Sequence, residues 1–327
     1  MDRQKVFTTA LIVLEAFILA AVVIIGVATK TVEGVQTLVD DKKEDKVSVE
    51  DETDVEDSKE DTSEENVTEP KEYVETRLTF SAEVEQKIAQ MSKEEMVAQL
   101  FMVSPEELTG YGQVTVSGNS TKTAINQYPV GGFIYTSLNF LGQAQAEALV
   151  SGAQGFSQER IGLPLFITVA EGVNEVVIQD TFQPLKYFPI EGNESGTGGL
   201  NTEIAQFQTG INNGASVIMV SNGIAPSVTG VVDLPCSMAD NTVKMLRGQM
   251  GFKGILITAP YDEATITGKY SAGDAAVAAI KAGMDMIYSP VDFKEAYTAV
   301  LGAVNSGAIS QMRLENAVGR VLTEKME

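Results

Sequence analysis

From Thr79 onward, short apolar runs alternate with helical stretches, and this alternation limits the possible folds more than any other feature of the chain. Residues 132–136, 165–170, 216–220, 254–258 and 284–288 read as short buried strands. Ser92 and Glu95 form a capping box that opens an amphipathic helical stretch to Met102. Further helical stretches cover 141–155, 201–213, 239–250, 271–283, 292–306 and 310–326. Strands of this kind alternating with helices predict a parallel sheet covered by helices. No glycine-rich phosphate loop follows the first strand, which argues against a nucleotide-binding doubly wound sheet. The fold class expected is α/β, a TIM-like (β/α) barrel, and an incomplete one, because closure of the usual kind takes eight strands.

Two different segments precede this region. Residues 7–28 are apolar, interrupted only by Glu15. As a helix they would span about 33 Å, enough for a bilayer core. Arg3 and Lys5 precede the run and acidic residues dominate after it. The positive-inside bias then predicts a single-pass anchor, with a cytoplasmic N-terminus and an extracellular barrel. Gly26–Val27–Ala28 also fits a cleavage site, so a signal-peptide reading stays open. No Cys follows the run, which excludes lipoprotein anchoring there. Between Asp40 and Glu75 stand 17 acidic residues and 5 lysines, with no aromatic residue before Tyr73. Such a segment buries too little apolar surface to offset its ordering entropy, and like charges extend it. The expected organisation is an anchor over 1–30, an acidic disordered linker over 31–78 and a barrel domain over 79–327.

Composition removes several chemistries. The chain has no His, one Cys and a net charge of −22. Without His there is no imidazole base, no imidazole metal ligand and no Ser–His–Asp triad. One Cys gives neither a disulfide framework nor a Cys-rich zinc site. The charge opposes nucleic-acid binding, which needs clustered Lys and Arg. Carboxylate-only metal sites remain allowed. No cofactor and no metal are expected.

Eight ordered segments resemble the N-terminal barrel domain of family 3 glycoside hydrolases, in the β-N-acetylhexosaminidase branch. MSKEEMVAQLFMV (91–103) resembles the opening helix, and YPVGGFIYTSLNF (128–140) the first strand and its loop. LPLFITVAEGVNEV (163–176) is similar to the second strand and its acidic turn, and LKYFPIEGN (185–193) to the Lys-His-Phe-Pro-Gly-His-Gly loop. ASVIMVSNGIAP (215–226) resembles the next strand. The most specific segment is LPCSMADNTVKMLRGQMGFKGILIT (234–258). AGMDMIYSP (282–290) follows, then SGAISQMRLENAVGRVL (306–322).

The resemblance implies a retaining glycosidase, yet the departures fall on the chemistry. The family's nucleophilic carboxylate aligns with Ala259, and a methyl group cannot form a glycosyl-enzyme bond. Its acid/base Asp–His dyad aligns with Thr197 and Gly198 or Gly199, on a loop without carboxylate or imidazole at those positions. Its sugar-gripping Asp and Arg align with Ala170 and Glu175, the latter a charge reversal. Lys186 is retained, its His neighbour is Tyr187, and Asn222 stands where a His often follows the next strand. Glu175, Lys186, Tyr187 and Asn222 are therefore the candidate binding residues. The short span from Ala170 to Lys186 implies at least one missing β/α unit.

Other carboxylates lie near strand ends: Glu171, Glu191, Asp262 and Glu263. Asp262 and Glu171 are the weak substitutes for the lost nucleophile, although a shift of three residues displaces it by several ångströms. They read first as solvated loop acids. Tyr187, Tyr261 and Tyr288 would either fill the barrel rim or form an aromatic wall for a sugar. Cys236 reads as a small buried hydrophobe and Asp285 as a structural carboxylate. The function expected is a membrane-tethered, catalytically inactive family 3-like protein that binds cell-wall glycan or an envelope protein. The alternative is an active hexosaminidase with relocated carboxylates.

Overall fold

The computed structural model describes residues 73–170, 173, 176–179, 181–188 and 197–326. The apolar run 7–28, the acidic tract to 72 and the candidates Glu171, Glu175 and Glu191 lie outside the described residues. So do the side chains at 185–187 and 197–201. Among the described residues no helix is long and apolar enough to cross a membrane.

Among the described residues there are seven strands: β1 (Phe101–Val103), β2 (Gly132–Tyr135), β3 (Phe166–Val169), β4 (Leu185–Phe188), β5 (Val217–Val220), β6 (Ile255–Thr258) and β7 (Ile287–Tyr288). They form two parallel sheets, ordered β3-β2-β1-β7 and β4-β5-β6. A parallel bridge between Ile257 and Met286 joins them at the β6–β7 side. Among the described residues no ladder pairs β3 with β4, so these two strands stand at the ends of the array.

Side chains alternate as a curved parallel sheet requires. Met102, Ile134, Met219, Ile257 and Met286 point into one interior cluster. Their neighbours Val103, Phe133, Val220, Leu256 and Ile287 face the helices in the larger core. Phe182 enters the interior too, and its backbone N–H donates to Ile167 O at 2.7 Å. At the strand-start end, Lys325 donates to Gln99 Oε1 (2.9 Å) and Gly131 O (2.7 Å) and lies over the Phe166 ring. Burial draws that ammonium down to about 7.

Several expectations change. The helical stretch read to Met102 ends at Ala98, and β1 follows at once. Residues 132–136 are therefore the second strand, not the first. Phe101, Met102 and Val103 are wholly buried, so no alternation betrays a strand. β4 is a strand within the segment read as a loop motif. The 239–250 helix divides into Asp240–Val243 and a π-helical Lys244–Gln249.

The folded part also begins before Thr79. Glu75 Oε1 accepts from Arg313 Nη1 at 2.9 Å and from Asn316 Nδ2 at 3.2 Å. Asn316 also donates to Thr76 O and accepts from the Leu78 N–H, at 2.8 and 2.9 Å. Phe80 packs on Gly319, where an added Cβ would meet the ring at 2.1 Å. Arg313 and Arg320, which share the buried Asp285, each pair with Glu75 as well, and these bonds hold the segment in place. Glu75→Ala should therefore cost about 1–2 kcal/mol in urea unfolding. An unchanged midpoint would show that the arginines do not depend on Glu75.

Candidate functional site

Family 3-like chemistry would be sited where the strands end and their following loops begin. β6 ends at Thr258, and Ala259 continues the inward alternation two residues after Ile257. Its N–H donates to Val220 O at 2.7 Å, and the residue is 2% exposed. Its methyl group belongs to the interior cluster with Met219, Ile257 and Met286, and Tyr288 packs against that cluster. The position of the expected nucleophile is thus apolar, enclosed and without a reactive atom.

A hydrogen-bonded knot surrounds it. Asn222 Nδ2 donates to Pro260 O at 2.7 Å and to Glu263 Oε2 at 3.0 Å. Its Oδ1 accepts from Ser237 Oγ at 2.8 Å, and Ser237 Oγ lies 3.0 Å from the Tyr261 hydroxyl. Tyr261 N–H donates to Tyr288 O at 3.0 Å, and Tyr288 N–H to Thr258 Oγ1 at 3.1 Å. Asn222 and Tyr261 are 1% and 3% exposed. Burial pushes the Tyr261 phenol well above its usual range, against the Ser237 hydrogen bond.

The candidates therefore separate. Asn222 is engaged on both sides of its amide inside the knot, and Tyr261 is a buried brace instead of a sugar wall. Tyr288 is partly exposed against the interior cluster. Glu263 is held by Asn222, whereas Asp262 is exposed and accepts from Ser289 Oγ at 3.3 Å. Ser289 adopts a φ of 50°, in the left-handed region. Thr197 and Gly199 lie in the first turn of the Thr197–Asn212 helix instead of a loop, because that helix starts before the stretch read from the sequence. Lys186 and Tyr187 lie on β4, with Lys186 in register with Met219. Cys236 is fully buried in the core. Sequence reasoning missed Ser237, whose hydroxyl joins the Asn222 and Tyr261 networks. The Pro235–Cys236–Ser237 turn carried no signal beyond a small residue after a proline.

The most elaborate polar cluster lies elsewhere, on Asp285. Its Oδ2 accepts from Arg247 Nη2 (2.5 Å) and from the Leu256 N–H of β6 (2.9 Å). Its Oδ1 accepts from Arg313 Nη2 (2.9 Å) and Arg320 Nη1 (2.8 Å). Burial alone would raise this carboxyl, but Arg320, Arg247 and Arg313 outweigh it and hold the group down at about 2. This hub fastens the joint between the two sheets to the C-terminal helix and to Glu75, which fits the structural role expected of Asp285.

Comparisons with known proteins agree with this architecture. Residues 198–324 match the model of the glycosyl hydrolase family 3 N-terminal domain. A family 3 β-N-acetylglucosaminidase from a Paenibacillus species superposes with a TM-score of 0.62 at 21% identity, over 71% of this chain and 62% of its own. A family 3 glycosyl hydrolase from Mycobacterium smegmatis gives 0.59 at 16% identity, over 73% of this chain and 98% of its own. A β-N-acetylhexosaminidase from Beutenbergia cavernae gives 0.57 at 19%, over 73% and 100%. The chain spans less than two thirds of the Paenibacillus enzyme, and at these identities the likeness is one of fold. A search of curated proteins found no match.

Proposed function

With its similarity to the family 3 glycosyl hydrolase N-terminal domain as the premise, we propose that this chain is a non-catalytic, membrane-tethered relative of the β-N-acetylhexosaminidases. It holds its barrel outside the membrane and binds cell-wall glycan or an envelope protein there. The observation that carries this reading is Ala259. A retaining mechanism needs a carboxylate poised beside the anomeric carbon. At that place this chain has a methyl group packed into an apolar interior. No His exists to serve as an acid/base partner.

Asp262 is the described residue that favours the second reading, an active enzyme with relocated carboxylates. It is exposed at the correct end of the barrel and sits beside the backbone strain at Ser289. An exposed carboxylate on a different turn lacks the enclosure and placement that catalysis uses.

The test is hydrolysis of an aryl N-acetyl-β-glucosaminide by the purified chain across pH 4–8, beside an active family 3 enzyme. The expected result is no release above the blank. Turnover that disappears in Asp262→Ala or Glu171→Ala would establish a relocated active site and overturn the proposal.

A further inference from the structure

At the strand-start end of the sheets, opposite Ala259, the C-terminal helix places Lys325 beside an open pocket. The pocket holds about 580 Å³, the size of a small-molecule site. Its walls come from the residues entering β3, from the start of β5 and from residues 181–183. It therefore lies on the side of the array where no described ladder joins β3 to β4. The Phe166 and Phe182 rings, 4.4 Å apart, form an apolar wall. Gln154 fixes another, accepting from the Leu165 N–H at 2.7 Å and donating to the Leu165 carbonyl at 2.8 Å. Lys325 lines this space and is partly exposed.

The surroundings of the Lys325 nitrogen decide its chemistry. Nζ donates to Gln99 Oε1 at 2.9 Å and to Gly131 O at 2.7 Å. Gln99 is fully buried, and its Nε2 donates to Pro129 O and Val130 O, which turns Oε1 towards the amine. An ammonium carries three N–H groups, whereas a neutral amine carries two and a lone pair. Two acceptors thus satisfy the neutral form and leave its lone pair unused. Among the described residues no third acceptor and no carboxylate bonds to Nζ. Glu324 is the other charged group of the lining, and its Oε1 accepts from Ser216 Oγ at 2.6 Å. The Phe166 ring, centred 4.9 Å from Nζ, attracts an ammonium but replaces neither water nor a carboxylate. Burial draws the amine down to about 7, so a large share is uncharged near neutral pH.

We propose that Lys325 is a nucleophilic amine that captures small aldehydes entering this pocket, as a reversible imine. The Nζ lone pair attacks the carbonyl carbon and forms a C–N bond, while a proton passes from nitrogen to the carbonyl oxygen. The carbinolamine then loses water to give the C=N bond, with nothing oxidised or reduced. Water is the sole leaving group, so a pocket of this size has to hold only the aldehyde. Thr181, Gln183 and Ser216 line it with polar groups that suit a hydroxylated one. The site stands apart from the reading of Ala259, which lies at the other end of the strands.

The test is reductive trapping. The full chain is incubated with glyceraldehyde and sodium cyanoborohydride at pH 7, and adducts are located by peptide mass spectrometry. Lys325 should be labelled about tenfold or more faster than the exposed Lys93, Lys253 and Lys294, because an ordinary lysine is almost wholly protonated at that pH. The advantage should shrink by about pH 9, as ordinary lysines begin to lose their protons. Thr181→Trp narrows the pocket from a partly buried wall. It should slow labelling of Lys325 severalfold and leave the three exposed lysines as they were, with an unchanged circular dichroism spectrum. Labelling of Lys325 no faster than that of the exposed lysines would overturn the proposal, and this comparison within the parent needs no variant to fold. Unchanged labelling in a folded Thr181→Trp would overturn it too, by showing a reactive amine without a binding pocket. Hydrolysis of the aryl glucosaminide would bear on Ala259 alone.

Discussion

Asp285→Ala should lower the thermal midpoint by about 10 °C or more and remove about 3–5 kcal/mol of stability. The residue is fully buried, and three buried arginines converge on its carboxylate. Alanine leaves their positive charges facing one another, with Glu75 as the remaining carboxylate bonded to two of them. It also frees the Leu256 N–H at the joint between the two sheets. Asp285→Asn keeps the shape but not the charge, and should lose most of the same stability. The pH dependence follows from a folded carboxyl at about 2 and an ordinary value of 3.8. Between those values the unfolded chain binds more protons, so stability falls as acid is added. The parent should therefore lose this contribution progressively as pH falls from about 4 towards 2, and Asp285→Asn should lack that dependence. A loss below about 1 kcal/mol in Asp285→Ala would mean that water or other groups neutralise the arginines.

This hub explains what was legible in the sequence. Arg247, Asp285, Arg313 and Arg320 all lie within the segments 234–258, 282–290 and 306–322 that carried the family resemblance. Those segments carry the resemblance in frame, whereas this sequence has no carboxylate or imidazole at the aligned positions 259 and 197–199. The frame was readable because its strands are apolar runs bounded by Gly or Pro, as in Gly254 before β6. β1 was not, because it follows a helix directly and is buried on both faces. β4 was not, because a lysine interrupts its apolar run. The hub itself was invisible, since its members come from separate elements and no local spacing unites them. Tyr261 was misleading for a related reason: a tyrosine near a strand end suits either a sugar or a buried partner, and Ser237 decided it.

Ala259→Asp should not restore hydrolysis, and should cost about 3 kcal/mol. The position is where the resemblance calls for a nucleophile, so the substitution is the obvious repair. The new carboxylate would enter an interior occupied by Met219, Ile257 and Met286, and among the described side chains no arginine or lysine joins the hydrogen-bonded knot beside Ala259. Asn222, Ser237 and Tyr261 already engage one another there, so none is free to hold an ionised oxygen without giving up a bond. Desolvation would raise the carboxyl above its ordinary range. The folded state would then bind more protons than the unfolded one above about pH 4, and the destabilisation should grow as pH rises. Urea unfolding at pH 5 and pH 8 reads this directly, with the larger loss expected at pH 8. Catalytic groups act as a unit, and this sequence has neither an acid/base dyad nor a sugar-binding arginine at the positions that the resemblance aligns with them. Measurable release of the aryl group by Ala259→Asp would show that the remaining residues already form a working site, and that only the nucleophile had been lost.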